Sequence, residues 1–285
     1  MYQNKKSIIV GHIYLIVLVL LFNSCKEPRT YSFKEIPCPY AETPDLTKQP
    51  VTDLNSLSGE NGKDTLGELR RKGQVIFKPC REYIYRAVYK AKDGSLLSDS
   101  KVWMMATGRS WVAQPDVQEE MAMQFEVTDK ELVALRKHFV NRKFASLDRI
   151  TTQETTGVIE TPAEVWMHPF RENQFNFTEV AGFPNVQLPL ESGKTWSNEI
   201  YPGKGWGDWA KTTVHNFYQV KGQENLQTKF KEFKNAWKVV ALSTAPFGKS
   251  VHTFWFDKFY GFIRMEYVNY KGQTLTFDLE EVIEK

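Results

Sequence analysis

The sequence predicts a mostly β, antiparallel fold that carries one packed helix. Three observations predict it: aromatic and β-branched runs that alternate with period two, glycine-bearing turns between those runs, and a single segment of helical periodicity. In Tyr83-Ile-Tyr85-Arg-Ala87-Val-Tyr89 an aromatic face alternates with a mixed one, as a strand requires. Asp93-Gly94 supplies a hairpin turn, Leu96 to Met105 the returning strand, and Glu120–Val127 a third. Thr128-Asp-Lys-Glu131 reads as a capping box, in which the threonine covers orphan amides and the glutamate reaches back. Leu132, Leu135 and Phe139 then share one face, with Arg136, Lys137 and Asn141 largely away from it, which predicts a helix at about 129–140. Strands resume at Thr156–Glu160, Glu164–His168 and Phe175–Val180. Thr213–Val220, Trp237–Leu242 and His252–Phe256 are β-rich by composition, and Phe262–Tyr270, Lys-Gly-Gln and Thr274–Leu279 form a closing hairpin. No repeat of about 20 to 50 residues suggests a propeller or solenoid.

The start of the chain is of another kind. Lys5 and Lys6 precede an apolar run of 15 residues, Ile8 to Phe22, and no acidic residue occurs before Glu27. A membrane-spanning helix needs about 20 apolar residues, so the run suits the core of a signal peptide better than a permanent span. It ends in Asn23-Ser24-Cys25, a small residue directly before a cysteine. That junction resembles a lipobox, in which cleavage removes residues 1–24 and Cys25 becomes the lipidated first residue. Phe22 and Asn23 are looser than the usual Leu-Ala-Gly-Cys pattern, a laxity that resembles Bacteroidota-type lipoproteins. Several acyl chains on one cysteine give stable anchoring, whereas a single chain binds only marginally. The competing reading is an uncleaved signal anchor with an incidental cysteine. Lys26-Glu27 follows Cys25 with no aspartate, which favours the outer membrane and leaves open whether the body faces the periplasm or the outside.

Without residues 1–24 the chain has 261 residues, enough for one large or two small cores. Residues 25–75 contain Pro28, Pro37, Pro39, Pro44 and Pro50 and few periodic apolar positions, and they read as a tether and lead-in. Residues 76–285 read as a single β-rich domain, or as two sub-sheets divided near 150. The 37 basic and 34 acidic residues nearly balance, which is no footprint of a nucleic-acid partner. Three cysteines are present; with Cys25 lipidated, Cys38 and Cys80 remain as a pair in an oxidising compartment. A disulfide between them would close a long loop worth about 4 kcal/mol in the chain-entropy description. The alternative is two separate thiols.

The second half carries a resemblance. Glu164-Val-Trp-Met-His-Pro169 precedes Phe183-Pro-Asn-Val-Gln-Leu-Pro189-Leu-Glu-Ser-Gly193-Lys-Thr-Trp196. Tyr218 to Gly222, Phe233 to Val239 and Tyr260-Gly-Phe-Ile-Arg-Met-Glu266 follow in order. This succession resembles uncharacterised β-rich lipoproteins of Bacteroidota type, over less than half of the chain. Such proteins often carry a glycine just before the phenylalanine of the Ala-Trp-Lys segment, where this chain has Lys231 and Glu232. The resemblance implies a curved antiparallel sheet or open half-barrel and no established catalytic residue.

Signals for chemistry are sparse. His138, His168, His215 and His252 form no close ligand pair and no cysteine supplements them, so no metal and no cofactor is implied. His168 stands out because Arg171 follows and could set a guanidinium beside the imidazole to grip a carboxylate or phosphate. A strand-end histidine with an ordinary hydrogen bond is the plainer reading. Gly108-Arg-Ser110 is no nucleophile elbow, and Ser192-Gly193-Lys194-Thr195 lacks the earlier glycine of a phosphate loop and belongs to a turn before Trp196. Glu154, Glu160, Glu164 and Glu172 are expected along solvated strand edges, where charge discourages aggregation. Tyr201-Pro-Gly-Lys-Gly-Trp206-Gly-Asp-Trp209 is a loop whose rings either contact an apolar or glycan ligand or fold back to cap the sheet; capping is the stronger expectation.

These features favour a non-enzymatic binding or structural module held at a membrane by its lipid. The alternatives are an envelope hydrolase acting on glycan or ester and a subunit of an envelope assembly. Carboxylates within about 10 Å across a cleft would mark the hydrolase, and an open sheet edge the assembly subunit.

Overall fold

Among the described residues twelve strands pair into one antiparallel sheet that curls into a nearly closed barrel. The computed structural model describes residues 33–34, 73–127, 129–141 and 151–284, with 129, 130 and 132 described in backbone alone. The strands are β1 (Glu82–Lys90), β2 (Leu96–Ser110), β3 (Glu119–Phe125), β4 (Gln153–Glu160), β5 (Glu164–Met167) and β6 (Asn185–Gln187), followed by β7 (Thr195–Ile200), β8 (Val214–Gln227), β9 (Glu232–Ala245), β10 (Gly248–Asp257), β11 (Gly261–Val268) and β12 (Thr274–Ile283). Their order is β6-β5-β4-β3-β2-β1-β12-β11-β10-β9-β8-β7. Two meanders therefore meet where β1 pairs with β12, and the edges β6 and β7 are consecutive in sequence. Between those edges Lys194 Nζ donates to the carbonyls of Gln187 and Pro189, each at 2.8 Å.

Period-two patterning places each strand. Tyr83, Tyr85, Ala87 and Tyr89 of β1 face inward and are buried, while Arg86 on the opposite face pairs with Asp99. The predicted Asp93-Gly94 turn forms, with Gly94 at φ 86° and the Asp93 carboxylate accepting the Ser95 amide at 2.9 Å. The sheet does not divide near residue 150, because β3 and β4 pair directly from Glu119↔Val158 to Gln124↔Gln153.

The helix, α1 (Asp129–Leu135), passes into a 3-10 turn at Arg136–His138. Leu135 and Phe139 of the predicted apolar face are buried in the core. Thr128 of the expected capping box lies outside the described residues. So do residues 1–24 and all of the expected tether save 33–34 and 73–75.

Two expectations about secondary structure need correction. Phe175–Val180 is no strand: Asn173–Val180 forms a 3-10 helix in which all eight residues are buried. Its alternating phenylalanines mimic a strand, yet the segment runs inside the barrel, where every side is buried and period carries no information. Phe170 packs on Tyr85 and Phe277 at 5.4 and 4.9 Å, Phe175 on Phe125 and Phe277 at 6.3 and 5.1 Å, and Phe177 on Tyr89 and Tyr267 at 5.8 and 6.3 Å. Residues 170–183 thus fill the lumen of their own barrel. Gly182 is needed there, because a Cβ would lie 2.7 Å from that of Ala241. The second correction is at Thr195, which opens β7 rather than ending a turn; the turn centres on Gly193, at φ 85°.

The lead-in is tied down from both sides. The amides of Val75, Ile76 and Phe77 all donate to the Glu160 carboxylate at 2.7 to 3.1 Å. Arg81 donates to the carbonyls of Val75, Ile76 and Phe259 and pairs with Glu284. Glu160 is therefore an internal connector and not a solvated edge charge.

Candidate functional site

His168 and Arg171 do come together. Pro169 ends β5, and the chain turns inward, which sets Arg171 Nη1 3.2 Å from His168 Nδ1. A guanidinium only donates, so Nδ1 accepts and the neutral ring carries its proton on Nε2. Trp166, Trp111 and Phe183 surround the ring at centroid distances of 4.6, 5.4 and 5.6 Å. Burial, then the Arg171 charge, hold the imidazole down at about 3. It stays neutral throughout the physiological range.

Arg171 meets two carboxylates of its own chain. Nε and Nη2 donate to Glu154 Oε1 at 3.3 and 3.4 Å, and Nη1 donates to Glu179 Oε2 at 3.0 Å. Their side chains are almost out of water, 17% exposed for Arg171, 14% for Glu154 and 9% for Glu179. Burial pushes the Glu154 carboxyl up to about 7 against the pull of Arg171, and Glu179 moves in the same direction for the same reason. Glu154 Oε2 is buried without a hydrogen bond. This cluster ties β4 to the segment inside the barrel. Its fork is engaged, so a ligand anion would have to displace a native carboxylate before Arg171 could grip it.

The sequence reading missed Glu154 and Glu179 as members of this cluster. A usable signal existed for the first: Glu154, Thr156 and Val158 share a strand face, and Thr156 and Val158 are wholly buried. No local signal marked Glu179, because its helix is buried on every side.

The aromatic loop resolves into two behaviours. Trp209, at 1% exposure, ends a 3-10 turn (Gly207–Trp209) and donates from Nε1 to the Tyr270 hydroxyl at 3.0 Å. It also packs on Phe247 at 6.2 Å. Trp206 is half-buried against it, with centroids 6.3 Å apart, and Asn141 Nδ2 donates to the Trp206 carbonyl at 2.7 Å. Tyr201 remains 62% exposed. Trp209 therefore closes the core, and Tyr201 is the ring of the three that reaches furthest into water.

Cys80 is buried and disulfide-bonded. Cys25 and Cys38, the other cysteines of the sequence, lie outside the described residues. Among the described residues no group of His, Cys, Asp and Glu is arranged to hold a metal ion. Cavities lined by described residues include one of about 500 Å³ beside Glu199, His215 and Phe217, one of about 240 Å³ beside Ser98, Glu126 and Leu135, and one of about 280 Å³ beside Arg86, Arg264 and Thr276. None of these three is lined by His168, Arg171 or Glu154.

No family model matches the chain, and no curated protein matches it. Among solved structures it is similar to a proposed exported protein with a YmcC-like fold from Bacteroides fragilis. That likeness has 12% identity and a TM-score of 0.45, over 73% of this chain and 98% of the other. It is also similar to a proposed lipoprotein from Parabacteroides distasonis, with 12% identity and a TM-score of 0.42 over 73% and 97%.

Proposed function

We propose that this chain is a lipid-anchored protein of the cell envelope, held through Cys25, whose body is a non-enzymatic binding or structural module. The observation that carries the reading is the 15-residue apolar run that follows Lys5-Lys6 and ends at Ser24-Cys25. The body supports the second half of the reading. Its lumen is filled by its own aromatic segment, and the buried carboxyls Glu154 and Glu179 are joined through one arginine rather than set across an open cleft. We assign the outer membrane from Lys26-Glu27, and Cys38 as the partner of Cys80.

The test is expression in a Gram-negative host with labelled palmitate. The wild-type chain is expected to take up label and to sediment with outer membranes on a density gradient. Cys25→Ala is expected to remain unlabelled and to leave that fraction. Labelled, outer-membrane Cys25→Ala would overturn the anchor.

A further inference from the structure

The turn between β8 and β9 holds an aromatic arrangement that the anchored-module reading does not use. Phe230, Phe233 and Tyr260 stand as three walls, with ring centroids 6.4, 5.5 and 5.7 Å apart and interplanar angles of 40°, 64° and 78°. Between them lies the Lys231 ammonium, 3.7 Å from the Tyr260 centroid, 4.8 Å from Phe233 and 5.5 Å from Phe230. Arg81 also lies against Tyr260, its guanidinium carbon 5.8 Å from the ring centroid. Phe233 is 2% exposed and forms the floor, whereas Phe230, Tyr260 and Lys231 are half-buried. The cage therefore opens at the surface.

We propose that Phe230, Phe233 and Tyr260 form a binding site for a quaternary ammonium compound, and that Lys231 is a built-in occupant which the ligand displaces. The ring faces present negative quadrupole potential from three directions, which suits a bulky, weakly hydrated cation with no N–H to satisfy. A primary ammonium is a poorer guest, since its three donors find only rings there and lose water on entering.

Lys231 can leave without disturbing the fold. The turn is held by the backbone and by Thr228: Lys231 N donates to Thr228 Oγ1 at 3.3 Å, and the Lys231 carbonyl accepts from Thr228 N and Oγ1, both at 3.1 Å. None of these bonds involves the ammonium. A cation over exposed rings gains about two- to fivefold in equilibrium terms, and even partial ordering of a long lysine side chain costs at least as much. The resident cation thus sits near break-even, which makes it a gate rather than a lock.

This assignment rests on the reading of the body as a binding module, and it stands or falls independently of the lipid anchor. The experiment is calorimetric titration of the full chain in detergent with tetramethylammonium and choline, with the neutral carbon analogue of choline as control. Wild type is expected to bind both cations weakly, and Lys231→Ala about twofold more tightly, because a guest near break-even occupies the cage about half the time. Tyr260→Leu is expected to abolish binding; should that variant fail to fold, Phe230→Leu tests the same wall from a half-buried position. Equal affinity in wild type and Lys231→Ala, equal binding of the neutral analogue, or no binding to Lys231→Ala at about millimolar ligand would each overturn the proposal. Palmitate labelling of the same protein reports the anchor separately, so loss of one result leaves the other readable.

Discussion

Replacing Arg171 with methionine strips two buried carboxyl groups of their cation at once. Glu154 and Glu179 receive three guanidinium contacts from this residue, two on Glu154 at 3.3 and 3.4 Å and one on Glu179 at 3.0 Å. Removing one partner of a buried ion pair costs about 3–5 kcal/mol, because the group left behind stays out of water. That is a large share of the roughly 5–15 kcal/mol that holds a typical domain folded. The loss should depend on pH, and its direction follows from the two carboxyls. Burial already holds both above the usual carboxylate range while Arg171 pulls them down, so without Arg171 both rise further. A carboxyl raised in the folded state keeps its full contribution below its unfolded pKa and loses it as pH rises through the folded value. The variant is therefore expected to lose about 3–5 kcal/mol at pH 8 and under about 2 kcal/mol near pH 4.5, where protonated carboxyls need no cation. Urea unfolding followed by tryptophan fluorescence reads both values, with a midpoint shift of about 1–2 M at pH 8. The acid background from His252 is common to both proteins and cancels, whereas His168 loses the Arg171 charge that helps hold it down, which lessens the loss at low pH further. A loss below about 1 kcal/mol at pH 8, or one that is the same at both pH values, would refute the reasoning.

Three further outcomes are expected. Trp209→Ala should cost about 3–5 kcal/mol and Trp206→Ala distinctly less, since the first ring is wholly buried and the Asn141 bond to Trp206 uses only backbone; equal losses in chemical denaturation would count against capping. His252 is wholly buried, with Nδ1 donating to the Gly182 carbonyl at 2.6 Å, and burial holds it down at about 3. The unfolded chain takes up that proton first, so stability is complete above about pH 6.5 and falls by about 2 kcal/mol on going to pH 5; His252→Phe should flatten this profile, leaving the similar share of His168, and an unaltered slope would exclude the assignment. Gly182→Ala should destabilise by about 1–3 kcal/mol through its clash with Ala241, and the double change Gly182→Ala with Ala241→Gly should recover part of the loss; a neutral single variant would show that the plug is loosely seated.

What could be read in advance followed from which surfaces each segment had to satisfy. Strands β1, β8 and β11 each have one buried and one wetter face; alternation announced β1, while composition and the hairpin turn announced the other two. Strand β7 did not announce itself, because Trp196 is its only fully buried position and Ile200, half-buried, its only other apolar one. The 3-10 plug was illegible for the opposite reason. With all of Asn173–Val180 buried, Phe175 and Phe177 could not reveal a period, and their spacing imitated a strand. At the site, the nearness of His168 and Arg171 was local and visible at three residues' separation. The fate of that arginine was decided by Glu154, 17 positions away on another strand, and such pairings are a property of topology. Trp209 shows the same limit, since the Tyr270 hydroxyl that receives its proton lies 61 positions further along.

The pairing of β1 with β12 governs when this protein can finish folding. Tyr89 and Gln273 hydrogen-bond across 184 positions, and the sheet joins its halves along that line. As the chain emerges from a ribosome or a membrane pore, N-terminal end first, one margin of β1 stays bare until Thr274–Ile283 has followed. Closure thus waits on a strand 184 positions further along, and refolding in vitro should be slow for a single domain because so distant a contact must form. During that interval the bare margin of β1 is what a strand-binding chaperone would grasp, and handover would be timed by the arrival of β12.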